Sequence, residues 1–128
     1  MFILTFFSVS KTILVRPGES ATLPCTGATG EKDLFKILWS KRDQKEQDTQ
    51  LVEFVPGAKD LAPTVMVKEE DKISLDEQTY ALTINAANFS DSGLYVCKAE
   101  TKTSTNESPE TLLDVTVDLK VSSNGKIV

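Results

Sequence analysis

The stretch Asp91-Ser92-Gly93-Leu94-Tyr95-Val96-Cys97, "DSGLYVC", decides how this chain is read. A tyrosine two places before a cysteine puts both side chains on one face of a strand. The acid and the glycine just before them mark a tight turn feeding that strand. Nothing in the seven residues has the pattern of a catalytic group. Their order is architectural, and the rest of the chain must supply what they pack against.

The chain has 128 residues, of which 40% are hydrophobic. That length fits one domain and buries roughly two-thirds of the unfolded surface. A formal net charge of −5 argues against a nucleic-acid binder and against a basic membrane-surface patch. The sequence contains no histidine, which removes Ser–His and Cys–His pairs and the commonest metal ligand. No phosphate loop, metal-ligand spacing or nucleophile–base pair occurs, so an enzyme is not expected, and neither is a cofactor or a metal. Cys25 and Cys97 are the only cysteines. They form either one disulfide, in an oxidising compartment, or two buried thiols. No apolar run is long enough to span a bilayer.

Glycine and proline punctuate short β-rich runs: 11–15, 21–25, 35–41, 50–55, 72–75, 80–84 and 94–99. The run 112–121 alternates most cleanly, with Leu113, Val115, Val117, Leu119 and Val121 set against Asp114, Thr116, Asp118 and Lys120. That is the period of a strand with one dry face and one wet face. Many short strands separated by turns predict an all-β antiparallel sandwich or barrel. Pro24 cannot donate within a ladder, so a bulge or an edge is expected there.

Trp39 lies fourteen residues after Cys25 inside a strand run, and "LTI" (82–84) precedes "DSGLYVC". In this order "LPC" (23–25), Trp39, "LTI" and "DSGLYVC" resemble the immunoglobulin superfamily, and 71 residues between the cysteines resemble its variable type. The resemblance implies a Greek-key sandwich of two sheets, joined by a Cys25–Cys97 disulfide with Trp39 packed against it. Leu82, Ile84 and Tyr95 would join the core, and the Tyr95 hydroxyl would bond back to the preceding turn. It also implies an ion pair from Asp91 to a base at the start of strand D, with Lys72 the first candidate and Lys68 the second. The competing reading makes Asp91 a solvated residue capping its own turn. Strand G lacks the Gly-x-Gly bulge of rearranging antigen receptors. Ser40 and Arg42 stand where antibody variable domains carry pairing residues.

The resemblance further implies a non-catalytic, extracellular protein-recognition module, cell-surface or secreted and of immune type, whose partner is a protein ligand or another immunoglobulin-like domain. The alternative is a structural or adhesive domain of a longer chain. Recognition is expected on the outer face of the sheet carrying the runs 112–121, 94–99, 35–41 and 50–55, the family's strands G, F, C and C′. Alternation places Leu38, Ser40 and Arg42 outward on strand C and Leu94, Val96, Lys98 and Glu100 outward on strand F. The run 50–55 is apolar on both parities, so either Val52 and Phe54 or Leu51 and Val55 face out. Together these predict a partly apolar patch with a charged rim. Asn88-Phe89-Ser90 and Asn106-Glu107-Ser108 are glycosylation sequons. Residues 1–121 are expected to form the domain, with 1–10 either its first strand or the remnant of a signal peptide, and 122–128 a tail or linker.

Overall fold

The computed structural model describes residues 11–26, 34–57, 62–68 and 70–117. The expectations for 1–10, 118–121 and 122–128 lie outside the described residues. Among the described residues ten strands run in order: β1 Lys11–Val15, β2 Ala21–Leu23, β3 Leu34–Arg42, β4 Asp48–Phe54, β5 Thr64–Val65, β6 Ile73–Leu75, β7 Leu82–Ile84, β8 Gly93–Thr101, β9 Thr105–Glu107 and β10 Thr111–Val115. Short 3-10 turns at Glu70–Lys72 and Phe89–Asp91 lead into β6 and β8.

The strands form two sheets. The larger has the order β1-β10-β8-β3-β4-β5, with β9 also paired to β8; the smaller has the order β2-β7-β6. All pairs are antiparallel except β1 with β10. β2 stops at Leu23, so Pro24 falls just past the ladder, where a missing donor is harmless.

Trp39, Leu23, Ile37, Leu82, Ile84, Cys97 and Leu113 are fully buried between the sheets. The Cys25–Cys97 disulfide joins the segment after β2 to β8, with the Cα atoms 5.6 Å apart. Trp39 is the ladder partner of Cys97, which sets the indole beside the bridge. A buried indole N–H needs an acceptor. The Tyr80 carbonyl supplies it at 2.8 Å. Tyr80 holds a left-handed backbone, φ 64°, a conformation unfavourable for a bulky residue. Its amide is tied to the Asp76 carbonyl at 2.7 Å, and its ring packs against Phe54 with centroids 6.2 Å apart.

The run 50–55 is apolar on both parities because β4 carries an irregularity. Val52 pairs with Trp39 but Gln50 pairs with Ser40, so Leu51 is the extra residue. A bulge lets two successive residues face one side. Leu51, Val52 and Phe54 all enter the core. Val52 and Phe54 are therefore not part of an exposed face, contrary to the expectation from alternation.

Candidate recognition surface

The outer face of the large sheet carries Lys36, Leu38, Ser40 and Arg42 from β3 and Leu94, Val96, Lys98 and Glu100 from β8, as strand parity requires. The face is not an apolar patch. Val96 is 0% exposed and Ser40 1%, and neither belongs to the core between the sheets. They are ladder partners on the outside, so their cover must come from longer side chains on that same face. Ser40 and Val96 are thus corrected from contact residues to buried floor.

The same face carries a lattice of ion pairs. Arg42 meets Asp48 through two bonds of 2.8 and 3.1 Å, Glu107 at 3.0 Å and Glu110 at 3.7 Å. Lys98 approaches Asp48 at 3.6 Å and Glu107 at 3.9 Å. Nearer the loop end, Lys36 sits between Glu100 at 3.2 Å and Glu53 at 3.4 Å. The hydrogen bond to Asp48 raises Arg42 above the ordinary guanidinium range, although partial burial opposes it. The same bond holds the Asp48 carboxyl below its ordinary range, and the bond to Glu100 raises Lys36. Isolated surface pairs contribute about 0–1 kcal/mol each. Here shared partners tie side chains of β3, β4, β8 and β9 into one network on the face that also carries Val96.

Glu107 belongs to β9, which lies outside the β-rich runs read from the sequence. Its residues Thr105–Glu107 have no hydrophobic period and form a strand only because β8 runs on to Thr101 and offers an edge. The tip between them is tight. Thr101 N–H donates to the Ser104 carbonyl at 2.8 Å, and Thr101 Oγ1 accepts from the Ser104 and Thr103 amides at 3.1 and 3.3 Å.

Beside this hairpin lies a residue that sequence reasoning did not single out. The β3–β8 register shifts between Leu34 and Lys36. Leu34 takes a place against the core, and Phe35 is left 55% exposed. Phe35, Glu100 and Thr101–Thr105 line an open groove of about 650 Å³. The adjacent apolar pair Leu34-Phe35 was the available signal, since only one of two neighbouring strand residues can face inward in a regular strand.

The opposite end holds the Asp91 cluster. Lys72 Nζ lies 2.8 Å from Asp91 Oδ2 and also donates to the Ala86 carbonyl at 2.8 Å. Asp91 closes a capping box as well, accepting from the Asn88 N–H at 2.8 Å. Pairing and capping, opposed as readings of the sequence, occur together. Tyr95 donates its hydroxyl to the Asp91 carbonyl oxygen at 2.5 Å. Burial, reinforced by the nearby Asp91 charge, pushes the Tyr95 phenol well above its ordinary range. Lys41 crosses beneath Gly93, donates to the Ser90 carbonyl at 2.7 Å, and lies 5.7 Å over the Tyr95 ring. Burial lowers its amine from the ordinary lysine value, against the pull of Asp91. Gly93 has φ +148°, a backbone conformation that favours glycine; a Cβ there would sit 2.9 Å from Lys41 Cε, the far end of a side chain that can shift, so the backbone is what selects glycine. Lys41, Lys68, Lys72 and Asp91 share a cleft of about 290 Å³ with Leu51, Ile73, Asn88 and Tyr95.

Asn88 is exposed at this end, while Asn106 is half-buried on β9. Among the described residues no group of acids and cysteines is placed to hold a metal ion, and no helix is long and apolar enough to cross a membrane.

The immunoglobulin V-set domain family matches residues 8–116. No curated protein matches the sequence. Among solved structures, the fold is similar to the extracellular domain of the voltage-gated sodium channel beta4 subunit, described as forming parallel homodimers that explain its role in cell-cell adhesion. The TM-score is 0.63 at 23% identity, over 97% of this chain and 98% of that one. The paired sheets, the bridge from Cys25 to Cys97 with Trp39 beside it, and the match over most of the sequence lead to one assignment: this chain belongs to the immunoglobulin V-set family.

Proposed function

We propose that the chain is a non-catalytic extracellular recognition domain that binds a protein partner. Its contact surface would be the loop end of the large sheet: Phe35 as the apolar element, the polar β8–β9 hairpin beside it, and the upper ion pairs of Lys36, Glu53 and Glu100 as the charged rim. The observation that carries this reading is Phe35. A large aromatic held more than half exposed beside an open groove fits the anatomy of an interface anchor, where aromatics concentrate binding energy and charged rims set specificity. The disulfide fits an oxidising compartment. Leu38 remains half-exposed on the same face and extends the surface, whereas Ser40 and Val96 contribute only support.

The test is a tetrameric fluorescent form of the disulfide-bonded chain, applied to a panel of intact cells. Binding that is saturable, falls with added salt and disappears after the cells are treated with protease supports a protein partner. Binding to no cell type, together with no self-association, would count against the reading.

An adhesive role, with a second copy as the partner, is the second reading. The homodimers described for the structurally similar beta4 domain favour it. Sedimentation over a wide concentration range separates the two: a reversible dimer that Phe35→Glu disrupts supports homophilic adhesion, while a monomer throughout supports a different partner.

A further inference from the structure

We propose that Asn88, and not Asn106, carries an N-linked glycan, on the end of the domain away from Phe35; this rests on the extracellular reading above. The two sequons sit in opposite structural settings. Asn88 caps the 3-10 turn Phe89–Asp91. Its Oδ1 accepts the Ser90 amide at 3.0 Å and also the Ser90 hydroxyl, while its backbone N–H goes to Asp91. The cap thus uses the carboxamide oxygen and leaves Nδ2 outside it. Glycosylation occurs at Nδ2. That nitrogen loses one proton and bonds the anomeric carbon of the sugar, while the bond from that carbon to the pyrophosphate of a lipid-linked donor breaks. The carbonyl oxygen is untouched, so the cap survives the modification.

The surroundings of Asn88 also suit a sugar. Phe89 next to it is 58% exposed. Asn88 lines the cleft whose wall includes Leu51, Val67, Ile73 and Ile84. Of these features only Phe89 is exposed apolar surface, since Leu51, Ile73 and Ile84 are buried, and a glycan at Asn88 lies where it shields that ring. Asn106 differs in each respect. It is half-buried in the ladder opposite Ala99. Ser108, the hydroxyl residue of its sequon, is 4% exposed. The Ser108 amide donates to the Cys97 carbonyl at 2.8 Å, and its hydroxyl lies 3.9 Å from Cys25 Sγ. Closing β9 onto β8 withdraws that hydroxyl beneath the disulfide. A glycan on Asn88 alone leaves the Phe35 groove bare for recognition.

The experiment expresses the full chain behind a supplied secretion leader in animal cells and reads glycan occupancy on protein from both lysate and medium. Intact mass and peptide mapping after amidase release, which converts a glycosylated Asn to Asp, locate the sugar. The expected result is one glycan, on Asn88, abolished by Asn88→Gln and by Ser90→Ala and unchanged by Asn106→Gln. An unmodified wild-type chain, or occupancy at Asn106, overturns the proposal. Because the leader is supplied, this outcome does not depend on where the natural chain resides. A disulfide-bonded chain without sugar overturns only the glycan site, whereas free Cys25 and Cys97 thiols in protein from its natural source would overturn the extracellular reading instead.

Discussion

Replacing Asp91 with alanine removes an anchor that holds the turn, the ion pair and the small sheet together. Asp91 Oδ2 receives both Lys72 Nζ and the Asn88 N–H at 2.8 Å. Loss of the capping box costs about 1 kcal/mol. Breaking a fully buried pair costs about 3–5 kcal/mol, and with side-chain exposures of 16% and 19% this pair should fall below that, at about 2 kcal/mol. Lys41 and Lys68 line the same cleft, where Asp91 is the one acid among the described residues. Its removal therefore leaves like charges facing each other. The sum for Asp91→Ala is about 3 kcal/mol, a drop in Tm of about 10 °C for a domain of this size. Asp91→Asn keeps an acceptor for the Asn88 N–H and should lose only the ionic part, about 2 kcal/mol. Urea unfolding of Asp91→Ala, Lys72→Ala and the double variant forms a cycle with an expected coupling of about 1–2 kcal/mol. Lys68→Ala should stay within about 0.5 kcal/mol of the parent. A shift below about 1 kcal/mol for Asp91→Ala, or strict additivity with Lys72→Ala, would refute the pairing and move Asp91 to the class of solvated turn residues.

Three further outcomes follow from the geometry. Cys25→Ala, or reduction, opens a bridge spanning 72 residues and should remove about 4 kcal/mol of stability, read as a large fall in Tm; a native protein with two titratable thiols would contradict the bridge. Val96→Glu places a carboxylate at a position that is 0% exposed and should cost about 3 kcal/mol, so a variant as stable as the parent would show that Val96 is exposed after all. For Tyr95 the folded phenol lies above its ordinary value of 10.0. The stability gained by keeping it neutral is complete below that value and fades as pH rises toward the folded pKa. Tyr95→Phe should cost about 1 kcal/mol at neutral pH through the lost bond to the Asp91 carbonyl and should flatten the alkaline fall in stability, which unfolding curves between pH 8 and 11 would show.

Cys25, Trp39, Asp91, Gly93, Tyr95 and Cys97 were legible in the sequence because each occupies a place that few residue types can fill. A bridge needs two thiols, a buried indole needs an acceptor, and the turn before β8 needs a glycine at φ +148°. Exposure was less legible. Alternation assigns a residue to a face, but whether that face is wet depends on side chains from other strands. Arg42 comes from β3, Asp48 from β4 and Glu107 from β9; nothing local to any one of these strands foretells that they meet. Register irregularities hid the rest. The extra residue at Leu51 sends Val52 and Phe54 inward, and the shift after Leu34 sends Phe35 out. Both depend on how two strands pair, which neither strand encodes alone.

The claim that recognition is centred on the loop end stands or falls on Phe35. The direct measurement is cell binding by the tetrameric chain carrying Phe35→Glu, beside a control carrying Leu14→Glu. Leu14 is also exposed, at 39%, but lies on β1 at the far edge of the same sheet. Both variants should keep a Tm within a few degrees of the parent, since neither side chain belongs to the core. The expected result is at least a tenfold loss of binding for Phe35→Glu, equivalent to about 1.4 kcal/mol or more, with the Leu14→Glu control unchanged. Full binding by a folded Phe35→Glu variant would place the partner elsewhere on the domain.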